Sequence, residues 1–386
     1  MKRIVVEPRA DWKQTAETYG FNFHTIQGEP YWDETAYYAF SLAQVERDIE
    51  APTHEIHEMA MDLAGEIVRS EALMQRLAIP RHYWDWIADS WRRGQPHLYG
   101  RLDLAYDGTG PAKLFELNYD TPTSLYEAAF YQWIWLEQQV ERGVLPRRAD
   151  QYNSIQEKLC EALSTIAKSL PRPFYFSAVH ESAEDQGTVQ YLRDCAHQVG
   201  IDAGLIALED IGLSTTGTFT DLDSIVIGTL FKLYPLEMMF EDAYGIRLPS
   251  SGIQLIEPAW KAVLSNKGVL PLLWERHQGH PNLLPAFFED TPATLAPGWV
   301  RKPMLSREGA NIELLTTDGT AARTDGPYTE GPRILQACHP LTRFDGGYPL
   351  IGSWVIGDLP AGMGIREDRS LITQDTSRFI PHAIVE

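Results

Sequence analysis

The chain has 386 residues, 44% of them hydrophobic and 22% charged, which permits a large buried core and is typical of a globular protein. A net charge of −20 argues against nucleic acid as a partner; it would suit a cationic ligand, although solubility alone explains it more simply. The lack of a long apolar run, and of a CxxC pair among three dispersed cysteines, predicts no membrane span, no disulfide framework and a cytoplasmic location.

The first 170 residues are predicted to form a mainly helical region. A helix is predicted to begin at Asp33, and the apolar spacing of Ile56, Met59, Leu63 and Ile67 continues the helical pattern. Further helices are expected over 54–76, 81–94, 125–139 and 155–169.

The segment HEIHE at 54–58 invites comparison with zinc sites. Its histidines lie three residues apart rather than in the HExxH arrangement, and the sequence identifies no third ligand. A solvated helix face is therefore favoured over a zinc hydrolase.

Two alternating runs around a Gly-rich turn, GRLDLAYDGTGPAKLFELNYDTPTS at 100–124, predict a β-hairpin. If residues 108–111 form the turn, counting outward pairs Ala105 with Leu114. The same register pairs Asp103 with Glu116 and Arg101 with Asn118, so that the four polar residues share one face.

Carboxylates that face each other repel unless a cation or a shared proton lies between them. The hairpin alone therefore predicts that Glu116→Gln is neutral or stabilising in the absence of metal. Asp103, Glu116 and Asn118 offer the oxygen ligands that Mg²⁺ prefers, and Arg101 beside them suits a phosphate. The alternative is a solvated hairpin with chance pairing.

The sequence pattern changes near Pro171. A strand, a helix and a strand over about 173–232 predict a βαβ layer, and helices followed by strands after residue 255 predict an α+β, or mixed α/β, fold. The domain prediction is one module over 1–386. Its parts are a helical region over 1–170 with a metal-binding hairpin at 97–120, a βαβ layer over 171–250, and a nucleotide-binding part over 251–386.

Two lysines are candidates for holding phosphates. Lys302 precedes a small, polar, Gly-containing loop in KPMLSREGANIEL, and Lys267 lies in SNKGVLPLLW, where a helix follows a turn. The alternatives are a plain hairpin turn and a surface lysine. No Walker A, GxSxG or GxGxxG motif is present.

Three segments in this order and approximate spacing resemble the glutathionylspermidine synthase family: GRLDLAYDGTGPAKLFELNYDTPTSLYE, EPAWKAVLSNKGVLPLLW and VRKPMLSREGANI. The resemblance covers nearly the whole chain and concerns the synthetase domain. It implies an ATP-grasp fold with a pre-ATP-grasp layer. The upstream amidase domain of some members has no counterpart here, and the shorter stand-alone bacterial members are the most similar.

The resemblance also implies roles for individual residues. Mg²⁺ would be held by Asp103, Glu116 and Asn118. The transferred phosphoryl group and the substrates would meet Arg101 and Arg366. ATP would be bound by Lys267, Lys302, the loop from Ser306 to Ile312 with Gly309, and Gln336 near the adenine. The glutathione and polyamine ends would be bound by Thr121, Thr123, Glu184 and Asp185.

The implied activity is that of an ATP-dependent carboxylate–amine ligase, which forms an amide through an acyl phosphate. A glutathione-like peptide and a cationic amine are the implied substrates, with ATP and Mg²⁺ as cofactors. Ser306 and Leu233 replace a glycine and a threonine of members that make glutathionylspermidine. Because Leu233 removes a hydroxyl near the implied polyamine pocket, we expect an amine other than spermidine, or only poor turnover with spermidine. The alternative is a nucleotide-regulated binding protein that has lost the polyamine site.

Overall fold

An antiparallel sheet joins the hairpin to the C-terminal third of the chain in the computed structural model, which describes residues 1–26, 28–291 and 294–385. In spatial order its strands are Arg378–Ile380, Leu359–Asp368, Tyr348–Ile356, Tyr99–Ala105 and Lys113–Asn118. Strand alternation sends Leu102 and Leu104 into the main hydrophobic core and leaves Arg101 and Asp103 on the opposite face. That opposite face carries the candidate site.

A second antiparallel sheet carries Lys302 and Gln336. Its strands, in spatial order, are Ala286–Phe288, Arg333–Ala337, Trp299–Pro303, Glu313–Leu315 and Ala321–Arg323. Strands after residue 255 are therefore confirmed, as the sequence predicts.

A parallel sheet corresponds to the predicted βαβ layer. Its order is Gln254–Ile256, Thr229–Lys232, Phe174–Ala178 and Gly204–Ala207, and the helix Ala183–Gln198 lies between the last two in sequence. The last strand of the predicted 173–232 layer begins at Thr229, which is the first residue to pair with the strand Phe174–Ala178. The preceding Ile225 and Val226 are exposed in a loop.

Both ends of the chain meet in one small sheet. Ala36–Phe40 pairs antiparallel with Lys2–Val5 and parallel with His382–Ile384. The helix predicted to begin at Asp33 is therefore wrong over its first part. Ala36–Phe40 is buried on both faces as a strand, and Ser41 then caps the helix that begins at Leu42.

The remaining helices are mostly where apolar spacing predicts them. The α-helices are Trp12–Thr18, Leu42–Val45, Ala51–Ile67, Glu71–Arg76, Trp84–Arg92, Gln132–Glu141, Ile155–Ile166, Ala183–Gln198, Leu236–Glu241, Leu248–Ser251 and Val269–Arg276, with π-turns at Glu46–Glu50 and Glu127–Tyr131 and a 3₁₀ segment at Ala259–Val263. The helix predicted over 54–76 is interrupted, because the Ser70 hydroxyl accepts the Leu73 amide and caps a new helix.

Two short strand pairs complete the structure, Thr25–Ile26 with Glu29–Pro30 and Gly212–Leu213 with Phe219–Thr220. None of the described helices is long and apolar enough to cross a membrane. The division into regions at residues 171 and 251 stays a prediction; the hairpin strand Tyr99–Ala105 pairs with Tyr348–Ile356 across both boundaries.

Candidate active site

The hairpin brings its polar residues together in the predicted pairs. Asp103 lies opposite Glu116, and Arg101 lies opposite Asn118. The predicted pairing of Ala105 with Leu114 is wrong by one residue, because a β-bulge shifts the register after Asp103 and Leu114 lies opposite Leu104 instead. Phe115 is the extra residue, and the polar pairs on the N-terminal side of the bulge keep their register.

Two arginines hold the Asp103 carboxylate. Arg101 donates from Nε to Oδ1 at 2.7 Å and from Nη2 to Oδ2 at 3.1 Å, and Arg366 donates from Nη2 to Oδ2 at 2.8 Å. Arg101 also donates from Nη1 to the Thr123 carbonyl at 2.7 Å. Burial and the charge of Arg101 lower the pKa of Arg366, so one carboxylate does not fully offset two arginines.

The Glu116 carboxylate faces lysines. Lys267 Nζ lies 3.2 Å from its Oε2, and the Asn118 amide donates to its Oε1 at 3.1 Å. Burial alone would raise the pKa of Glu116, but Lys267 and Lys302 reverse that effect and hold it well below its usual value. The repulsion between Asp103 and Glu116 is thus relieved by the cations of the protein.

Lys302 lies between the hairpin and the second sheet. Its Nζ donates to Gln336 Oε1 at 2.7 Å and to the Phe115 carbonyl at 3.0 Å. Burial, together with the charge of Lys267, lowers the pKa of Lys302 to about 8 in spite of Glu116. This ammonium lacks a direct carboxylate partner among the contacts that the structure describes, which makes it a suitable group for an anionic ligand.

The loop 306–312 is fixed over the cavity by Arg307. Its Nη1 donates to Thr121 Oγ1 at 2.8 Å, and its Nε donates to Glu237 Oε1 at 2.8 Å. Gly309 has a φ of +69°, and a Cβ there would lie 2.3 Å from the Thr373 carbonyl oxygen, so glycine is required for this approach. Ser306 is buried, its hydroxyl donates to the Pro303 carbonyl, and its own carbonyl accepts from Lys267.

Glu184 and Asp185 both lie in the first turn of the helix Ala183–Gln198, but only one of them lines the cavity. Asp185 lines the cavity, and burial raises its pKa to about 6. Glu184 is not among the lining residues; burial and the charges of Glu127 and Asp185 raise its pKa to about 8. Leu233 forms part of the same wall and is only 4% exposed, so this wall has an apolar component.

These groups surround one cavity of about 450 Å³, here named the central cavity. Among the predicted site residues, those that line it are Arg101, Asp103, Glu116, Asn118, Thr121, Thr123, Asp185, Lys267, Lys302, Gly309, Gln336 and Arg366. Ser306 and Glu184 do not line it. The volume is within the range of small-molecule sites.

The residues present fit a Mg²⁺–triphosphate group. Around the hairpin, four cations, Arg101, Arg366, Lys267 and Lys302, face two carboxylates, Asp103 and Glu116, which leaves two positive charges in surplus in this part of the cavity. The lining also contains Asp185, Glu308 and Arg307. Within the described ranges, no cluster of three His, Cys, Asp or Glu side chains could hold a metal by itself. Mg²⁺ commonly takes one or two carboxylates plus substrate phosphates, which is the arrangement that this set permits.

The HEIHE segment forms no metal site within the described residues. His54 is exposed, as a solvated helix face predicts, but His57 is 2% exposed and that part of the prediction is wrong. Its Nδ1 lies 2.8 Å from the Tyr119 hydroxyl and its Nε2 lies 3.1 Å from Asp358.

Sequence reasoning missed three supports of the site. Arg307 could have been suspected as the cation of the loop. Gly352 makes room for Arg101, since a Cβ there would lie 2.7 Å from Arg101 Cδ. Asp120 pairs with buried Lys232 and accepts the Leu236 amide at 2.7 Å, which fixes the turn that carries Leu233. The last two depend on contacts between segments distant in sequence.

Residues 3–385 match the family described as glutathionylspermidine synthase preATP-grasp. The chain is 40% identical to a candidate acid–amine ligase from Haemophilus influenzae, with both chains covered in full. It is 29% identical to trypanothione synthetase from Crithidia fasciculata over 84% of this chain and 53% of that protein. It is 25% identical to the bifunctional glutathionylspermidine synthetase/amidase of Escherichia coli over 95% of this chain and 61% of that protein.

Among solved structures, a glutathione synthetase-like effector from Globodera pallida in its apo form superposes with a TM-score of 0.58. The superposition covers 96% of each chain at 8% sequence identity. A likeness at this identity concerns the fold alone, and it confirms the mixed α/β, ATP-grasp class predicted from the sequence.

Proposed function

The chain belongs to the glutathionylspermidine synthase family, and on that premise we propose that it joins a carboxylate of a glutathione-like peptide to a cationic amine. At family level it is an ATP-dependent carbon–nitrogen ligase. The identity of the peptide and of the amine is part of the proposal. A cytoplasmic location is also proposed, and the three free cysteines support it.

The observation that carries the proposal is the uncompensated positive charge in the part of the central cavity around the hairpin. Lys267, Lys302, Arg101 and Arg366 converge there from four segments on only two carboxylates, Asp103 and Glu116. Burying so much like charge destabilises a protein unless it serves an anion. A triphosphate and a reacting carboxylate supply that anion.

The proposed reaction has two steps. A carboxylate oxygen of the peptide attacks the γ-phosphorus of ATP, the bond to the bridging oxygen breaks, and ADP and an acyl phosphate result. The amine nitrogen then attacks the acyl carbon, the bond to the phosphate oxygen breaks, and the amide, phosphate and one proton are released. The nitrogen needs a free lone pair, so the ammonium form of the amine must first lose a proton.

Each group of the cavity has a role in this scheme. Arg101 and Arg366 would stabilise the charge on the phosphoryl group during transfer, and Lys267 and Lys302 would bind the ATP phosphates. Asp103, Glu116 and Asn118 would hold Mg²⁺, which neutralises phosphate charge when bound. The loop 306–312, tied down by Arg307, would exclude water from the acyl phosphate.

The amine side is proposed at the wall that contains Asp185 and Leu233. Asp185 supplies a carboxylate to a cationic amine, and burial keeps the pKa of Glu184 at about 8, so that Glu184 is mostly neutral at pH 7. Leu233 occupies the same wall without a hydrogen-bonding group. A polyamine nitrogen placed there would lose water without replacement, which supports an acceptor other than spermidine.

The test is an isotope-transfer assay. Glutathione labelled with ¹⁸O in its carboxylates is incubated with ATP, Mg²⁺ and a panel of amines, while ADP and amide are quantified. We expect equal amounts of ADP and amide, with one ¹⁸O in each phosphate released. ADP release without amide for every amine of the panel would contradict the proposal.

A further inference from the structure

A second cavity of about 400 Å³, here named the side pocket, lies against Leu230 and Leu255 of the parallel sheet and extends to the carboxyl ends of three of its strands. Val179 follows Phe174–Ala178, Leu208 and Glu209 follow Gly204–Ala207, and Tyr234 follows Thr229–Lys232 by one residue. Ligands of parallel sheets bind in the crevice outside these ends. None of the site residues assigned above lines the side pocket.

The side pocket adjoins the central cavity. Val179 and Tyr234 line both, and Asp185 and Leu233 line the central cavity beside them. Val179 and Tyr234 are each half-buried and form the boundary that the two spaces share. A ligand whose amino group is held near Asp185 would reach the side pocket by extending past Tyr234.

The lining of the side pocket differs in chemistry from that of the central cavity. It is mostly apolar: Val179, Leu208, Ile211, Phe219, Leu230, Met239, Ala243, Leu248, Ile253 and Leu255. Its charged groups are Glu209 and Asp242, and no Lys or Arg is among the described residues that line it. Such a space favours an apolar body together with a positive charge.

The two carboxylates are at the rim rather than in the apolar interior. Asp242 and Glu209 are both exposed, and the Tyr234 hydroxyl donates to Asp242 Oδ1 at 3.4 Å. Glu209 accepts the His180 amide with both oxygens, at 3.1 and 3.2 Å. Burial, and then the charges of Asp242 and Glu209, raise the pKa of Tyr234, which agrees with both carboxylates acting on this entrance.

We infer that the side pocket binds the far end of the acceptor amine, which is an amphiphilic amine rather than a linear polyamine. The acceptor has a primary amino group for the central cavity, an apolar body the size of an aromatic ring for the side pocket, and a second cationic nitrogen for Asp242 and Glu209. This inference rests on the proposed function and names the substrate class of its amine side.

The test compares diaminopropane with its N-benzyl derivative, which has the same charge and one added ring. Calorimetric titration without ATP and kcat/KM for ADP release are both measured. Burial of a ring predicts that the benzyl derivative binds about tenfold or more tightly. Ala243→Trp, at an exposed lining position, should abolish most of that preference, whereas Ala72→Trp, on an exposed helix elsewhere, should preserve it.

The outcomes separate the inference from the proposed function. Equal binding of the two amines, or a preference that survives Ala243→Trp, overturns the inference even if amide forms. Asp242→Asn should reduce the affinity for the benzyl derivative more than that for benzylamine, which lacks the second nitrogen; equal reductions count against the proposed cation site. ADP release without amide formation for every amine tested would overturn the proposed function, while the titration still decides whether the pocket binds its ligand.

Discussion

At the scale of single residues, Lys302 offers the most direct test of nucleotide binding. Its ammonium is buried and hydrogen-bonded only to neutral groups in the structure as described, Gln336 and the Phe115 carbonyl. Lys302→Ala should weaken ATP binding by about 1.5–3 kcal/mol, the range for a charged hydrogen bond. Calorimetric titration measures this effect, with Lys168→Ala as the control.

The same lysine predicts a dependence on pH. Its pKa of about 8 means that it is charged at pH 7 and largely neutral at pH 9. The ATP affinity of the wild type should therefore decrease from pH 7 to pH 9. In Lys302→Ala the part of this decrease that comes from Lys302 should be absent. Parallel pH profiles of the two proteins would show that another group is responsible.

Glu116 yields a prediction whose sign the structure reverses. The hairpin alone suggests that Glu116→Gln relieves repulsion from Asp103, but the lysines lower the pKa of Glu116 and make its charged form stabilising. The substitution should destabilise the protein by about 1–3 kcal/mol at pH 7. Because the pKa of Glu116 is lowered in the folded state, the variant loses the full amount of stability above the unfolded pKa of Glu. The loss becomes smaller as the pH falls below that value.

Urea unfolding of wild type and Glu116→Gln at pH 7 and pH 4 measures that difference. Glu58→Gln, on an exposed helix surface, is the control. A variant as stable as wild type at pH 7 would mean that Lys267 and Lys302 do not stabilise the carboxylate.

At the scale of structural elements, the strand Tyr348–Ile356 positions Arg101. Gly352 lies opposite Asp103, and a Cβ there would come within 2.7 Å of Arg101 Cδ. Gly352→Ala should move the guanidinium away from Asp103 and lower kcat by roughly 100-fold, the cost of a misplaced group. Gly362, on the next strand, is equally crowded by Ile155. Gly362→Ala should therefore destabilise the fold with little effect on kcat.

The loop 306–312 is the second element with a separable role. Arg307 ties it to Glu237 and Thr121, which belong to two other segments of the chain. Arg307→Ala should let water reach the acyl phosphate, so that ADP release exceeds amide formation. The ratio of the two products measures this, and Arg323→Ala, on an exposed strand, should keep the ratio at one.

At the scale of the whole molecule, local pattern predicted much of the site and less of the fold. Counting from the assumed turn paired Asp103 with Glu116 correctly, although the register next to the turn is one residue different, because the bulge at Phe115 offsets that difference. The sequence pattern did not reveal the bulge. It also missed the strand Ala36–Phe40 and the role of Gly352, because each of these depends on a partner far away in sequence. Ala36–Phe40 is buried on both faces, so no alternation distinguishes it from a helix.

His382 links the C-terminal strand to the rest of the molecule. Its Nε2 accepts the Tyr152 amide at 3.2 Å, so Nδ1 carries the proton that is donated to Gln132 Oε1 at 3.0 Å. Burial lowers the pKa of this ring to about 3. Its contribution to stability is therefore full above the unfolded pKa near 6.5 and is lost as the pH falls below it.

Between pH 6.5 and pH 5 this one ring should lower the free energy of unfolding by about 2 kcal/mol. Urea unfolding across that range measures the slope. His382→Gln should be less stable at pH 7 yet show a shallower slope, whereas His54→Gln, at an exposed position, should keep the slope of the wild type.

The pairing of Tyr99–Ala105 with Tyr348–Ile356 has a consequence for how the protein is made. Leu104 and Ile351 are roughly 250 residues apart in sequence, yet they are neighbours in the sheet that carries Arg101, Asp103 and Arg366. On the ribosome the hairpin emerges early and then waits for its central partner strand until most of the chain has been synthesised. Nascent chains stalled before residue 348 should accordingly present an unpaired strand edge to chaperones and lack the phosphate-binding centre.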